Sequence, residues 1–151
     1  MAYFDDTNFR GGVRLDHRSA VWANVSRQNY CAFPRHWYVD AILKCSVCGD
    51  EFCFTAADQR RWYEELGFYV DSYAKDCSSC RADNRRKKEL RQEYDRDIKT
   101  ALASSEIEQK QRMCDVVDAL CAFETELPDK IHTNRRTLAR QIAKHHDTCD
   151  G

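Results

Sequence analysis

No apolar run in this sequence is long enough to cross a membrane. The opening stretch MAYFDDTNFRGG carries early acids and no apolar core, so it does not read as a secretory leader. A cytoplasmic protein with no membrane partner is the expectation. Net charge is also nearly absent, at −1. Bulk electrostatics therefore argue neither for nor against a nucleic-acid partner, and any basic surface has to be local. No phosphate-binding loop, Ser/His/Asp set or paired-carboxylate cleft can be found, so neither enzyme activity nor a small-molecule substrate is expected. Internal repeats and low-complexity segments are missing too.

What is present fits a folded protein. The 151 residues are 42% hydrophobic and 32% charged, enough for one ordinary domain or a small metal module with a helical companion. Nine cysteines stand out. In a reducing compartment they read as metal ligands and core thiols rather than as a disulfide framework. Nine is odd, so at least one could not pair within the chain.

Four of them form the chain's organising motif. Cys45 and Cys48 make one Cys-x-x-Cys pair, and Cys77 and Cys80 make another. Two thiolates on a tight turn can chelate one ion, and two such turns complete a tetrahedron. Gly49 follows the first pair, where the chain must curl back and a positive φ is cheap only for glycine. The pattern predicts a four-cysteine zinc site of zinc-ribbon type, closed and structural, because four thiolates leave no position for water. The pairs are 28 residues apart, more than the usual spacing of about 15–20. A helix accounts for the excess: Thr55 is a good N-cap, Asp58 is near the positive helix start, and Gly67 is a natural stop.

Around this motif the chain falls into four stretches. Residues 1–32 read as an N-terminal arm, broken at Gly11-Gly12, with a short helix between Asp16 and Asn29 and Trp22 docked somewhere. Residues 33–81 read as the zinc module: a strand over Trp37–Leu43, the first knuckle, a returning strand at 51–55, then the capped helix. In that helix Trp62 and Leu66 are expected to share one face, and Gln59 and Tyr63 another. Residues 82–147 read as helical, with 148–151 a tail. Leu90, Tyr94, Ile98 and Ala101 or Leu102 form a narrow apolar stripe. Beyond it either a capping box at Ser105 and Glu108 starts a new helix or the first simply continues. Leu127-Pro128 ends this part, and a last helix starts after Asp129 or Thr133. The expected fold class is thus small α+β: a zinc ribbon of short β-hairpin plus helix, then a long α-helix and a C-terminal helical hairpin.

The run from Trp37 to Arg81 resembles the bacterial family of probable zinc-ribbon proteins. The likeness rests on Tyr38-Val39-Asp40, Cys45-Ser46-Val47-Cys48-Gly49, Phe52-Cys53-Phe54-Thr55-Ala56, Gln59 with Trp62-Tyr63-Glu64-Glu65, and Cys77-Ser78-Ser79-Cys80-Arg81. It covers roughly 45 residues and leaves the helical part outside. It implies zinc binding by Cys45, Cys48, Cys77 and Cys80, and nothing about activity.

Candidate partner surfaces come from what remains. Arg81, Arg85, Arg86, Lys87, Lys88 and Arg91 form a basic cluster that could meet phosphates, with Tyr63 and Tyr69 as open stacking rings. Trp62 and Phe68 are expected in the small core. Against a phosphate role, Glu89, Glu93, Asp95 and Asp97 follow at once, as on a solvated helix face. The apolar stripe over residues 90–127 needs something to pack on, which puts a protein partner or self-association slightly ahead of nucleic acid. Cys53 is expected to back the zinc site or pack in the core, and Cys114 and Cys121 to be small buried residues of one helix face. Cys31 and Cys149 read as bystanders. His145 and His146 are adjacent, so their side chains diverge rather than chelate together, and the sequence alone does not identify what His17, His36 and His132 would meet.

Overall fold

The computed structural model describes residues 13–149, with side chains to residue 147. Gly11-Gly12, the side chain of Cys149 and the rest of the tail lie outside the described residues. The chain divides into two compact units, Met1–Arg81 and Ala82–Gly151.

The first unit is a three-stranded antiparallel sheet with a short helix. Strand β1 (Arg14–Trp22) pairs with β2 (Trp37–Lys44), which pairs with β3 (Glu51–Phe54). Val39, Ala41 and Leu43 alternate inward along β2, and Ala41↔Phe54 and Leu43↔Phe52 set the β2–β3 register. One face is thereby buried and the other left to solvent, as in most antiparallel sheets. The short helix expected within Asp16–Asn29 is not there. β1 occupies its first half, and a 3-10 turn (Val25–Arg27) follows. The strand escapes a sequence reading because its alternation is interrupted. The register shifts between Asp16 and Val21, where Arg18 N–H donates to Asp16 Oδ1 (3.0 Å) and Ser19 Oγ to the Asp16 carbonyl (2.7 Å). Such an irregularity also spoils an open edge for further strand pairing.

Helix α1 (Ala56–Arg60) starts as its sequence indicates, with Asp58 N–H donating to Thr55 Oγ1 at 3.0 Å. Asp40 adds a second cap from β2, accepting from Ala56 N–H at 2.7 Å. The helix then widens into a π turn (Arg61–Glu65), where Leu66 N–H reaches back to the Arg61 carbonyl. The wider turn rotates the side chains that follow it. Gln59 and Tyr63 are fully buried, whereas Leu66 is exposed and Trp62 only half-buried, so Trp62 and Leu66 do not share a buried face. Gly67 closes the turn with φ +71°, a left-handed conformation that glycine adopts freely. The Gln59 amide donates to the carbonyls of Val39 and Phe54 (2.9 Å for Phe54), lashing the helix to both strands.

The second unit is a three-helix bundle. Helix α2 (Ser78–Ala103) supplies residues 82–103, followed by α3 (Ile107–Phe123) and α4 (Asp129–Cys149). Residues 81–126 therefore hold two helices. The break is not the Ser105–Glu108 capping box: Glu106 is the N-cap, and Ser104 Oγ accepts from Glu106 N–H at 2.9 Å. Lys110, only 4% exposed, turns back across the break. Its Nζ donates to the Ala101 carbonyl (2.8 Å) and to Gln141 Oε1 of α4 (2.7 Å). The cation thereby sits at the negative end of α2 and satisfies carbonyls that a helix end leaves without partners.

The stripe Leu90, Tyr94, Ile98 and Ala101 is consumed within this bundle. It packs with Met113, Val117 and Leu120 of α3 and with Ile131 and Leu138 of α4. The expected need for an outside partner along residues 90–127 is met internally. Tyr94 Oη bonds Asn134 (2.7 Å) and the Leu102 carbonyl bonds Gln141 (3.4 Å), so α2 and α4 run the same way with α3 reversed between them.

One ion-pair node makes a measurable prediction. Lys87 (2.6 Å) and Arg91 (2.8 Å) converge on Glu124 at the end of α3. Hydrogen bonding from Lys87 first, helped by Arg91 and opposed by burial, holds the Glu124 carboxyl below its ordinary range. A depressed folded-state pKa adds stability above the unfolded pKa of about 4.3, and that stability is lost as pH falls through the folded value. Glu124→Gln should therefore lower the melting midpoint at neutral pH. The gap to the parent should close in the acid range below pH ~4. A gap independent of pH would show that the carboxylate charge is not the source.

Candidate metal centre

Cys45 follows the end of β2, and Cys48 lies in the turn to β3. The turn is a knuckle: Cys45 N–H donates to the Asp50 carbonyl (2.8 Å), and Gly49 N–H donates to the Cys45 carbonyl (3.1 Å). Gly49 has φ +79°, and an added Cβ would meet nothing closer than 3.9 Å. Backbone conformation, not space, is what calls for glycine here.

The second pair is built differently. Cys77 immediately precedes α2, and Cys80 lies in its first turn, where Arg81 N–H donates to the Cys77 carbonyl at 3.0 Å. A hairpin knuckle thus faces a helix start, not a second knuckle. The positive end of the helix favours thiolates at that end. Ser46 braces the two halves. Its N–H donates to the Lys75 carbonyl (2.9 Å), and its hydroxyl bonds Asp76 Oδ1.

The four sulfur atoms lie within 4.8 Å of one another. Cys48 Sγ and Cys77 Sγ are 3.9 Å apart, far beyond a disulfide of about 2.05 Å. A tetrahedron with metal–sulfur bonds of about 2.3 Å has edges of about 3.8 Å, so the donor set fits one ion. Backbone N–H groups already point at the sulfurs, with Cys77 N–H 3.3 Å from Cys45 Sγ and Cys80 N–H 3.4 Å from Cys77 Sγ.

Their acidities diverge accordingly. For Cys45, burial opposes ionisation, yet the N–H groups of Cys48, Cys77 and Val47 prevail and bring the thiol down to about 6. Cys48 gains from the Asp50 N–H, but hydrogen bonding to Cys45 and burial push it up on balance. Cys80 is driven up, first by its hydrogen bond to Cys77 and then by burial. Sulfurs this close cannot all carry charge unaided, and a cation among them is what allows it. Among the described residues no other set of three or more His, Cys, Asp or Glu ligand atoms converges.

The remaining candidates disperse. Tyr63, expected to be open, is fully buried under the sheet, and its hydroxyl donates to the Ser72 carbonyl. Burial also raises that phenol to about 12. It offers no face to a base. Tyr69 is half exposed, and so is Phe68, which was expected in the core. Phe68 instead leans on Trp62 with ring centroids 5.0 Å apart, and the Arg81 guanidinium covers Trp62 at 5.7 Å. The basic cluster is partly neutralised. Lys87 and Arg91 are held by Glu124, and Arg86 lies 3.8 Å from Glu89, leaving Arg85 and Lys88 exposed without an ion pair among the described residues. Trp22 is exposed but rests against Trp37. Cys114 is buried as expected, whereas Cys121, Cys53 and Cys31 are exposed. Cys121 departs from the expected buried face because the core direction of α3 runs through Val117 and Leu120.

A partly buried set of polar contacts has no counterpart in the sequence reading. Gln28 donates to Tyr38 Oη (2.8 Å) and to the Arg35 carbonyl (2.7 Å), and Glu64 accepts from Asn24 N–H (2.6 Å). These bonds fasten the segment between β1 and β2 onto the sheet and the π turn. No local pattern marks them, since each joins residues distant in sequence or irregular in backbone.

Residues 39–89 match the family described as a probable treble clef domain. The match spans about a third of the chain and includes all four cysteines. No curated protein and no solved structure matches the sequence. The knuckle, the hairpin and the helix start seen here are the parts of such a domain, and the expected ribbon-like α+β fold followed by helices stands.

Proposed function

We propose that this treble clef domain holds one structural zinc ion and serves as a non-enzymatic interaction module for a protein partner. Tetrathiolate coordination suits zinc and leaves it no open position for water or substrate, so chemistry at the metal is not its role. One observation carries the interaction reading. Of the large apolar side chains left exposed among the described residues, all but Phe123 belong to the first unit. Phe33 is 81% and Trp22 66% exposed, and Tyr30, Phe68 and Tyr69 are each near half. Trp22 rests on Trp37, and Tyr69 forms a backbone bridge with Asn29 beside Tyr30. Aromatic residues concentrated on a small unit mark interaction surfaces more often than chance exposure does.

The test uses the full chain as bait for partners from nuclease-treated host extract, beside a Trp22→Ser, Phe33→Ser double variant. The parent should retain a saturable partner that the variant loses by tenfold or more. Both should hold one zinc per chain. Equal capture by the two proteins, with zinc unchanged, overturns the interaction surface without touching the zinc assignment.

A further inference from the structure

The two halves of the metal centre are joined by more than the ion they would share. Cys45 and Cys48 belong to the β2–β3 turn, whereas Cys77 and Cys80 arrive on a separate segment, residues 75–80. Three hydrogen bonds link these segments without any metal. Ser46 N–H donates to the Lys75 carbonyl at 2.9 Å, the Ser46 hydroxyl donates to Asp76 Oδ1, and Cys77 N–H points at Cys45 Sγ from 3.3 Å. Only the bond to Asp76 joins two side chains that are not ligands, so only it can be removed without touching backbone or sulfur. The second pair repeats the serine without the bond. Both motifs read Cys-Ser-x-Cys, yet the Ser78 hydroxyl makes no hydrogen bond among the described residues. Asp76 is half-buried beside Cys77, where its charge works against the site. Four thiolates around a divalent ion already leave a net negative charge. What a carboxylate supplies there is an oxygen that accepts the serine's proton in a hydrogen bond.

We propose that the Ser46–Asp76 bond is a clasp that sets how long the centre retains its ion, with both side chains acting as positioning residues outside the coordination shell. The clasp rests on the zinc assignment proposed for this site and adds to it a determinant of retention. Each Cys-x-x-Cys arm alone offers two sulfurs, so the ion leaves only after the arms part. A bond that persists between the arms opposes that parting. It also keeps them in register, so that an ion released by one arm is recaptured before it escapes. Partners that orient metal ligands from outside the shell change metal affinity by about 10–100-fold.

The test follows zinc passing from the loaded full chain to an excess of a chromogenic chelator, after the zinc content has been measured. Ser46→Ala should release its ion about tenfold faster than the parent or more. Asp76→Ala should do the same. The two substitutions together should be no faster than either alone, because one bond is lost in all three proteins. Asp76→Asn keeps an oxygen acceptor at the same place and should release at the parent rate, and so should Ser78→Ala. Gln28→Ala controls for general weakening of the first unit. It removes bonds to Tyr38 Oη and to the Arg35 carbonyl and N–H, none of which involves a cysteine or its neighbours. It should lower the melting midpoint and leave release near the parent rate. The proposal is overturned if Ser46→Ala releases zinc at the parent rate, or if the double variant is faster than either single one. It is also overturned if Asp76→Asn behaves as Asp76→Ala, which assigns the effect to charge, or if Gln28→Ala speeds release as much as Ser46→Ala. A parent chain without one zinc would overturn the zinc assignment itself, and the clasp with it.

Discussion

Cys77→Ser is expected to unfold the first unit at room temperature rather than merely loosen it. Three thiolates and a hydroxyl cannot hold the ion as four thiolates do, and in small metal modules binding free energy is folding free energy. Structural zinc contributes on the order of 10 kcal/mol or more in such modules, which exceeds what a small aromatic core can supply alone. The first unit buries few large side chains beyond Tyr38, Phe54 and Tyr63. A strong chelator should do to the parent what the substitution does: the near-ultraviolet circular dichroism of the packed tyrosines and tryptophans should collapse. Acid should act in the same direction, because protons compete for thiolates and Cys48 and Cys80 bind theirs more tightly than free thiols do. A Cys77→Ser protein with unchanged near-ultraviolet signal and full metal content would remove Cys77 from the ligand set.

Leu120→Ala should have the largest effect in the second unit. Leu120 is fully buried where α3 meets the other two helices, among Val117, Met113 and Leu138. Truncation there removes apolar contact and leaves a cavity that surrounding helices fill only in part, at a cost of about 2–5 kcal/mol. For a unit of this size that approaches the whole margin of stability. The neighbouring Cys121 is exposed, so Cys121→Ala should change the midpoint by no more than about 0.5 kcal/mol equivalent. Metal content should stay at one ion per chain in both, because the ligands belong to the other unit. Denaturant melts of the two variants would decide it, and similar losses for both would contradict the placement of the helix faces.

The metal ligands, the β2–β3 hairpin and the start of α1 were legible because each is written in local sequence. Cys-x-x-Cys spacing, the aromatic and β-branched run over residues 37–43, alternation over residues 51–55, and Thr55 at an N-cap are short-range signals with direct backbone consequences. β1 was not, since an Asp16-centred turn breaks its alternation and its partner lies across the unit. The π turn was not, because a widened turn leaves no compositional trace, and Tyr63 within it, expected to be open, is buried. Placing the second pair on a helix required knowing that α2 begins at Ser78, although the charged, helix-favouring sequence beyond Arg81 gave the rest of that helix. The capping of α3 by Glu106 and the return of Lys110 depend on where three helices meet, which no single stretch encodes.

X-ray absorption at the zinc edge of the purified chain tests the central claim most directly. The account predicts one zinc per chain with four sulfur neighbours at about 2.3 Å and no oxygen or nitrogen in the coordination shell. Fewer than four sulfurs, a bound water, or a protein that folds fully with no metal at all would contradict it.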